Sequence, residues 1–216
     1  MKNGTAYAGR LKKAYAKLRQ SVDAPRVPEQ PDEPLRRLAI GIFGASVGDE
    51  RAEAAVNRAL STMVDWNEIR VSVAHELEAA IGNLLGGDGK ACQRLIEALR
   101  SVYRQENRLS LDRLKSFGRR EARQYLEKID GVDDYATASV LLWSLGGHAI
   151  PVSDPLLAAL READLVHPMA NRSEVQAFLE RHVNANDAKE FCLVMRHFVP
   201  TKRTASKPAK AKKERT

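Results

Sequence analysis

The polar side chains best suited to chemistry lie within one stretch of the chain, residues 125–160. Asp154 stands directly before a proline, and Asp133 and Asp134 follow a predicted turn at Gly131. A carboxylate can act as a general base toward water. Asp before Pro is also a common start of a helix, where the side chain caps free backbone N–H groups. The residues alone therefore leave both interpretations of Asp154 open.

The same stretch predicts two helices joined by a tight turn. The first ends near Lys128, the turn holds Gly131 and Val132, and the second begins around Tyr135 and Thr137. Backbone N–H groups at the start of a helix can bind a phosphate without reading a base. We therefore expect these five residues to contact DNA. Two alternatives stay open, because the tyrosine can instead fill the apolar side of the turn and the lysine can be a solvated helix end.

No metal and no cofactor is predicted. Cys92 and Cys192 are far apart in the chain, so the chain alone cannot supply a four-cysteine site, and both are expected to be core thiols. His75 and His148 each lack a partner at ligand spacing and are expected in loops or at the surface. The glycines at 82–89 lack the preceding strand and the Lys-Ser/Thr pair of a phosphate loop.

The apolar spacing predicts an all-α protein. Stripes with helical periodicity run through 52–63, 92–103 and 188–199. The segment 66–73 is the only candidate strand. By composition the chain divides into three parts. These are a basic N-terminal extension with a Pro-rich linker over 1–34, whose residues 5–20 are predicted helical, a folded helical domain over 35–200, and a disordered Lys-rich tail over 201–216.

The net charge of +7 and the pI of about 9.5 favour a polyanionic partner. The charge lies at the ends, because residues 1–35 carry +3 and residues 201–216 carry +6, which leaves −2 for 36–200. Lys202 and Arg203 are therefore expected to contact DNA. No apolar run approaches the roughly 18 residues of a membrane span, and no secretory signal is evident. We expect a cytoplasmic, nucleoid-associated protein.

Two motifs resemble those of the helix-hairpin-helix DNA-glycosylase superfamily. The run I-D-G-V-D-D-Y-A-T-A at 129–138 is similar to the Leu-Pro-Gly-Val-Gly hairpin of endonuclease III and adenine glycosylases. The run V-S-D-P-L-L at 152–157 resembles the segment that carries their essential aspartate. When Thr137 and Ala138 are matched to the family's Thr-Ala pair, Asp154 falls on that aspartate without a gap. Weaker likeness at 35–46 and 190–198 extends the resemblance over about 35–200.

The sequence also departs from this family at several functional positions. Asp133 or Asp134 replaces the second glycine of the hairpin, which puts phosphate binding there in doubt. The position of the lysine that forms a Schiff base in bifunctional relatives holds Ala136, or Tyr135 when the hairpin is aligned without a gap. Ser46 falls in the stretch where many relatives have a glutamine that fills the space left by a flipped base. The four cysteines of the relatives' iron–sulfur cluster are missing.

The resemblance implies a two-lobed helical fold with duplex DNA in a cleft near Gly131 and Asp154. One lobe is expected from 63–150, and the other from 35–62 together with 151–200. The family's aspartate both caps a helix and promotes loss of the base, so the resemblance implies that Asp154 activates water or stabilises positive charge on the sugar.

The leading hypothesis is a divergent DNA glycosylase of base excision repair. It would act as a monomer on duplex DNA, damaged duplexes included, and hydrolyse an N-glycosidic bond without lyase activity. One alternative is a non-catalytic DNA-binding protein that keeps the fold. Another is a helical adaptor with no nucleic-acid role.

Overall fold

The fold is all-helical, as expected, in a computed structural model that describes residues 4–23 and 26–199. Within these ranges there is no strand. Eleven α-helices are present in the described residues: α1 Gly4–Ser21, α2 Pro34–Val47, α3 Asp49–Thr62, α4 Trp66–Val71, α5 Ala74–Ile81, α6 Gly89–Glu106, α7 Arg119–Leu126, α8 Asp134–Trp143, α9 Asp154–Glu162, α10 Arg172–His182 and α11 Ala188–Arg196. Short 3-10 helices cover Gly82–Leu85, Asp112–Ser116 and Ala185–Asp187.

The segment 66–73, which was the candidate strand, forms a helix over most of its length. Residues Trp66–Val71 form α4, and the side chain of Asp65 accepts hydrogen bonds from the backbone nitrogens of Asn67 and Glu68. A capped helical turn satisfies these N–H groups locally, whereas a strand would need a neighbour. Ile69 is the residue of α4 that is buried in the core.

The first lobe is formed by α2 to α8 around one hydrophobic cluster that runs from Leu35 to Ala149. The centre of this lobe is α2, which packs mainly on α8 and α3. The contact is close because Gly41 faces Ala136, and a Cβ at Gly41 would lie 2.7 Å from the Ala136 Cα. Residues 35–62 therefore belong with 63–149, which corrects the expectation that they would join the C-terminal lobe.

The second lobe is formed by α1, α9, α10, α11 and the end of α8. Its cluster includes Leu142 and Trp143 of α8 together with Tyr7 and Leu11 of α1. The predicted helix at 5–20 is thus present, but it packs into the core. The folded part begins earlier than the expected boundary near Leu35, because an amphipathic helix with a buried stripe is part of the lobe. The tail over 201–216 lies outside the described residues.

None of the described helices is long and apolar enough to cross a membrane.

Candidate functional site

The hairpin between α7 and α8 depends on Gly131. Its φ of +78° lies in the left-handed region, and a Cβ there would stand 2.3 Å from the carbonyl oxygen of Arg94 on α6. Glycine is therefore required by backbone conformation and by space at the same position. Val132 donates a backbone hydrogen bond of 3.3 Å to Ile129 and closes the turn. Both hairpin residues are partly exposed.

The start of α8 is occupied by the carboxylate of Asp133. Its Oδ1 accepts a hydrogen bond of 2.9 Å from the backbone nitrogen of Ala136 and caps the helix. Its Oδ2 lies 2.9 Å from Arg94 and 3.5 Å from Arg172. The carboxylate of Asp133 thus occupies part of the space where a phosphate binds at a helix start. Two guanidinium groups lie beside it.

The start of α9 corrects the interpretation of Asp154 as a helix cap. Ser153 is the N-cap, and its hydroxyl accepts from the backbone nitrogen of Leu156 at 3.4 Å. Asp154 is the first residue of the helix, and its side chain is 56% exposed and paired with Arg172. Capping therefore does not explain the aspartate, whose carboxylate remains accessible to solvent.

Arg172 connects the two predicted motifs. It is the first residue of α10, and its guanidinium contacts both Asp133 at the hairpin and Asp154 at α9. On the same helix, the hydroxyl of Ser173 donates to Asp134 at 2.5 Å. The structure thus brings the hairpin and Asp154 together through α10. Arg172 could not be predicted from the sequence, because nothing in its local spacing indicates a contact with Asp133, 39 residues away.

Tyr135 and Thr137, both expected to contact DNA, are buried. Their exposed fractions are 3% and 1%, and Ala136 between them is fully buried against α2. The Tyr135 hydroxyl donates a hydrogen bond of 2.7 Å to Asp49. Of the two alternatives for this tyrosine, the structure shows the one in which it fills the interior.

Asp49 is the centre of a buried charged network under the hairpin. Its Oδ2 lies 2.6 Å from Arg37 and 2.7 Å from Arg196. Burial raises the pKa of Asp49, but the two guanidinium groups and the hydrogen bonds from Arg37 and Tyr135 outweigh it, so the pKa lies below its ordinary value. Burial and the Asp49 charge together raise the pKa of Tyr135 well above its ordinary value.

The network also joins helices that are distant in sequence. Arg37 Nε donates to Ser139 on α8 at 2.7 Å, and its guanidinium lies 5.2 Å from the ring centre of Trp143. Arg196 lies 5.6 Å from the same ring. Arg37, Asp49 and Arg196 therefore link α2, α3, α8 and α11, and all three were missed in the sequence.

The two residues that the motif alignments predict at the position of the family's lysine carry no amine. Ala136 carries none, and Tyr135 is held by Asp49. If the hairpin is aligned without a gap, so that Tyr135 takes the lysine position, the same spacing reaches Ser153 in place of Asp154. Ser153 is also the residue that caps α9.

The remaining predicted site residues are dispersed. Lys128 is exposed just after the hairpin's first helix, at the end opposite to the exposed Arg119 and Arg120. Lys202 and Arg203 lie outside the described residues. Ser46 is partly buried, and its hydroxyl lies 3.4 Å from the carbonyl oxygen of Phe43, one turn back in α2.

The cysteines have no metal-site geometry in the described part of the chain, where no three His, Cys, Asp or Glu side chains converge. Cys92 is fully buried, and this burial raises its pKa to about 11. Desolvation and the charge of Asp49 raise the pKa of Cys192 to about 12. Both thiols are therefore protonated at neutral pH.

A cavity of about 660 Å³ lies elsewhere, among α3, α4 and α5. Its walls include Met63, Glu68, Val71 and Glu76, and neither Asp154 nor the hairpin lines it.

The fold is recognised by its likeness to solved structures. Endonuclease III in a trapped covalent DNA intermediate matches with a TM-score of 0.65 and 15% identity, over 88% of this chain and 85% of that one. The fold is that of the helical DNA glycosylases. The Clostridium acetobutylicum 8-oxoguanine glycosylase/lyase with DNA matches at 0.65 and 15%, over 91% of this chain and 70% of that one. The H. pylori 3-methyladenine DNA glycosylase bound to 1,N6-ethenoadenine matches at 0.60 and 14%, over 88% and 96%.

The sequence matches no protein-family profile, and no curated protein matches it either. The likeness to the helical DNA glycosylases therefore lies in the arrangement of the helices, at 14–15% sequence identity in these comparisons.

Proposed function

We propose that this chain is a DNA-glycosylase-like protein of base excision repair. It binds duplex DNA at the surface formed by the hairpin and the start of α9, and it hydrolyses an N-glycosidic bond with Asp154, without a lyase step. The observation that carries the proposal is the accessible Asp154 carboxylate, held next to the hairpin by Arg172 within the glycosylase fold.

Binding is attributed to the exposed part of the hairpin. Gly131 and Val132 are partly exposed, and Lys128 is exposed beside them. A hairpin backbone with neighbouring cations can bind phosphates irrespective of sequence. Asp133 and Asp134 weaken this attraction, but the contacts of Asp133 with Arg94 and Arg172 compensate its charge. The side chains of Tyr135 and Thr137 are not part of the proposed surface.

The proposed chemistry needs a carboxylate and no amine. As the base departs, the sugar develops positive charge, which a nearby carboxylate stabilises while water attacks. Asp154 supplies this group at the start of α9. A lyase step requires a neutral amine that attacks the sugar carbon. Ala136 and Tyr135 cannot provide one, so the reaction ends with the free base and an abasic site.

A second candidate is a DNA-binding protein without catalysis. The observation that favours it is Ser153 as the cap of α9, since the family aspartate performs capping and catalysis from one position. Pairing of Asp154 with Arg172 favours it as well, because the guanidinium competes with a cationic sugar for the carboxylate.

Excision assays on a panel of lesion-bearing duplexes separate the two candidates. Asp154→Asn is expected to retain the wild-type Kd for duplex DNA and to lose excision by more than 100-fold in single-turnover assays, since removing one electrostatic group of this kind costs roughly 10²–10³ in rate. Asp112→Asn, another exposed and ion-paired carboxylate, is the matched control and should be neutral. Binding without excision of any base by the wild type would favour the second candidate, and unchanged excision by Asp154→Asn would remove Asp154 from the mechanism.

A further inference from the structure

Helix α1 is docked on the second lobe by one side only. Tyr7 and Leu11 are buried, and Ala14, Tyr15 and Leu18 pack against the same cluster. The Tyr15 ring lies 5.1 Å from Phe191 of α11. These positions follow a helical stripe, so the opposite side of α1 is fixed toward solvent.

The charges of α1 are all positive. Its 18 residues contain five Lys or Arg and no acidic residue. Arg10 pairs with Asp164 after α9, and Arg19 pairs with Glu190 of α11, so these two arginines help to hold the helix. Lys12, Lys13 and Lys17 are exposed, and none forms an ion pair with a residue of 4–23 or 26–199.

These three lysines flank the exposed side of α1. At about 100° per residue, Lys13 and Lys17 fall on one flank of the buried stripe and Lys12 on the other. Between them, the outermost positions carry Gly9, Ala16 and Gln20. Lysine amines on both flanks of this exposed side can reach phosphates on either side of the helix.

One segment of the first lobe is unfavourable for a polyanion. On the first lobe, the segment 61–82 carries four acidic residues and one arginine. Val64 and Val71 of that segment are 88% and 63% exposed, so this face is apolar and acidic. Duplex DNA is therefore repelled from this segment.

The packing of α1 disfavours binding of this helix to a lipid surface. A helix that binds a lipid surface inserts its apolar face between the lipids. The apolar face of α1 is already buried against the second lobe, so basic, polar and small side chains remain for a partner.

We propose that α1 is a second duplex-DNA contact surface, separate from the hairpin, which binds phosphates through Lys12, Lys13 and Lys17 and reads no base. The helix is about 27 Å long at 1.5 Å per residue. DNA carries one charge per about 1.7 Å of axis, so several phosphates lie within its reach. This inference rests on the proposed binding of duplex DNA and adds a surface to it.

The test is the salt dependence of binding by the full-length protein to an undamaged duplex. Lys12→Gln/Lys13→Gln/Lys17→Gln should lower the slope of log K against log salt by about 2 to 3, since each phosphate contact contributes roughly 0.9. Glutamine matches lysine in helix propensity, so α1 is expected to persist. Lys90→Gln/Lys115→Gln on the first lobe is the control and should leave the slope unchanged. Circular dichroism and the Tm confirm that each variant is folded.

The outcomes separate this inference from the proposed function. If the wild type binds duplex DNA and the α1 variant has the wild-type slope, the α1 surface is wrong and the hairpin site stands. If the wild type binds no duplex, both fall. Lysine-dependent binding to anionic phosphatidylserine vesicles, in the absence of duplex binding, would assign α1 to a membrane and overturn the inference.

Discussion

Asp49 keeps its charge at a buried position because two guanidinium groups and one hydroxyl surround the carboxylate. Arg37 beside it is only 3% exposed, so the two charges depend on each other. Removing one partner of a buried pair leaves the other uncompensated, which costs roughly 3–5 kcal/mol. The buried network under the hairpin therefore holds α2, α3, α8 and α11 together.

Asp49→Asn is expected to lower the free energy of unfolding by about 3 kcal/mol at pH 7, because Arg37 and Arg196 lose their counter-ion. The folded-state pKa of Asp49 lies below the unfolded value of about 3.9. Its contribution is therefore complete above that value and is lost as the pH falls through the folded pKa. Urea unfolding of both proteins from pH 7 to pH 2.5 should show the difference shrinking below about pH 4. A constant difference would contradict the ionised assignment.

The absence of an amine at Tyr135 and Ala136 predicts that no covalent imine forms with DNA. Borohydride should trap no protein–DNA adduct on a duplex with an abasic site, whereas endonuclease III, solved as a covalent intermediate, is the positive control. Lys128 is the exposed amine beside the hairpin. A trapped adduct that disappears in Lys128→Gln would show that this lysine acts as the nucleophile.

The hairpin element depends on one glycine for two separable reasons. Gly131→Ala combines a left-handed φ with a Cβ 2.3 Å from a backbone oxygen, so we expect a loss of roughly 3 kcal/mol in unfolding free energy. Gly86 has a similar φ of +67° and open space around it. Gly86→Ala is therefore the control and should cost only about 1 kcal/mol. Equal losses in chemical denaturation would show that the contact with Arg94 does not matter.

The helices could be predicted because their signals are local. Apolar stripes at a period of 3.6 and the Asp-Pro start of α9 indicate helices whatever lies around them. The N-cap of α9 is Ser153, one residue before Asp154, which the sequence offered as the cap. Both residue types are good caps, and the sequence does not decide between them. The short α4 was ambiguous because six residues contain too little of a period to separate helix from strand.

The candidate site could be predicted only where its residues are close in sequence. The hairpin and Asp154 lie within 25 residues and were found by their motifs. The contacts of Asp49 span 86 residues to Tyr135 and 147 to Arg196, and no spacing rule connects such positions. The packing of α1 could not be predicted either. The Pro-rich linker indicates a domain boundary, yet Tyr7 and Leu11, which precede the linker, pack in the core of the second lobe.

At the scale of the whole molecule, α8 and the Asp49 network connect the two lobes. Ala136 and Val140 pack in the first cluster, and Leu142 and Trp143 pack in the second, so one helix serves both cores. The chain leaves α11 after Arg196 on the lobe that carries α1. The two strongly basic parts of the sequence are thereby attached to one lobe.

Residues 201–216 hold seven Lys or Arg and one Glu, so they are expected to supply most of the non-specific affinity for DNA. Binding of each cation to a phosphate releases a counterion, and loss of all seven would reduce the slope of log K against log salt by up to roughly 6. The measurement compares the full chain with a 1–200 truncation across a salt series on an undamaged duplex. A full-length control with these seven residues changed to Gln separates charge from length, and it should match the truncation. Equal slopes for the full chain and the truncation would place the affinity on the folded lobes, where α1 and the hairpin are the surfaces that remain.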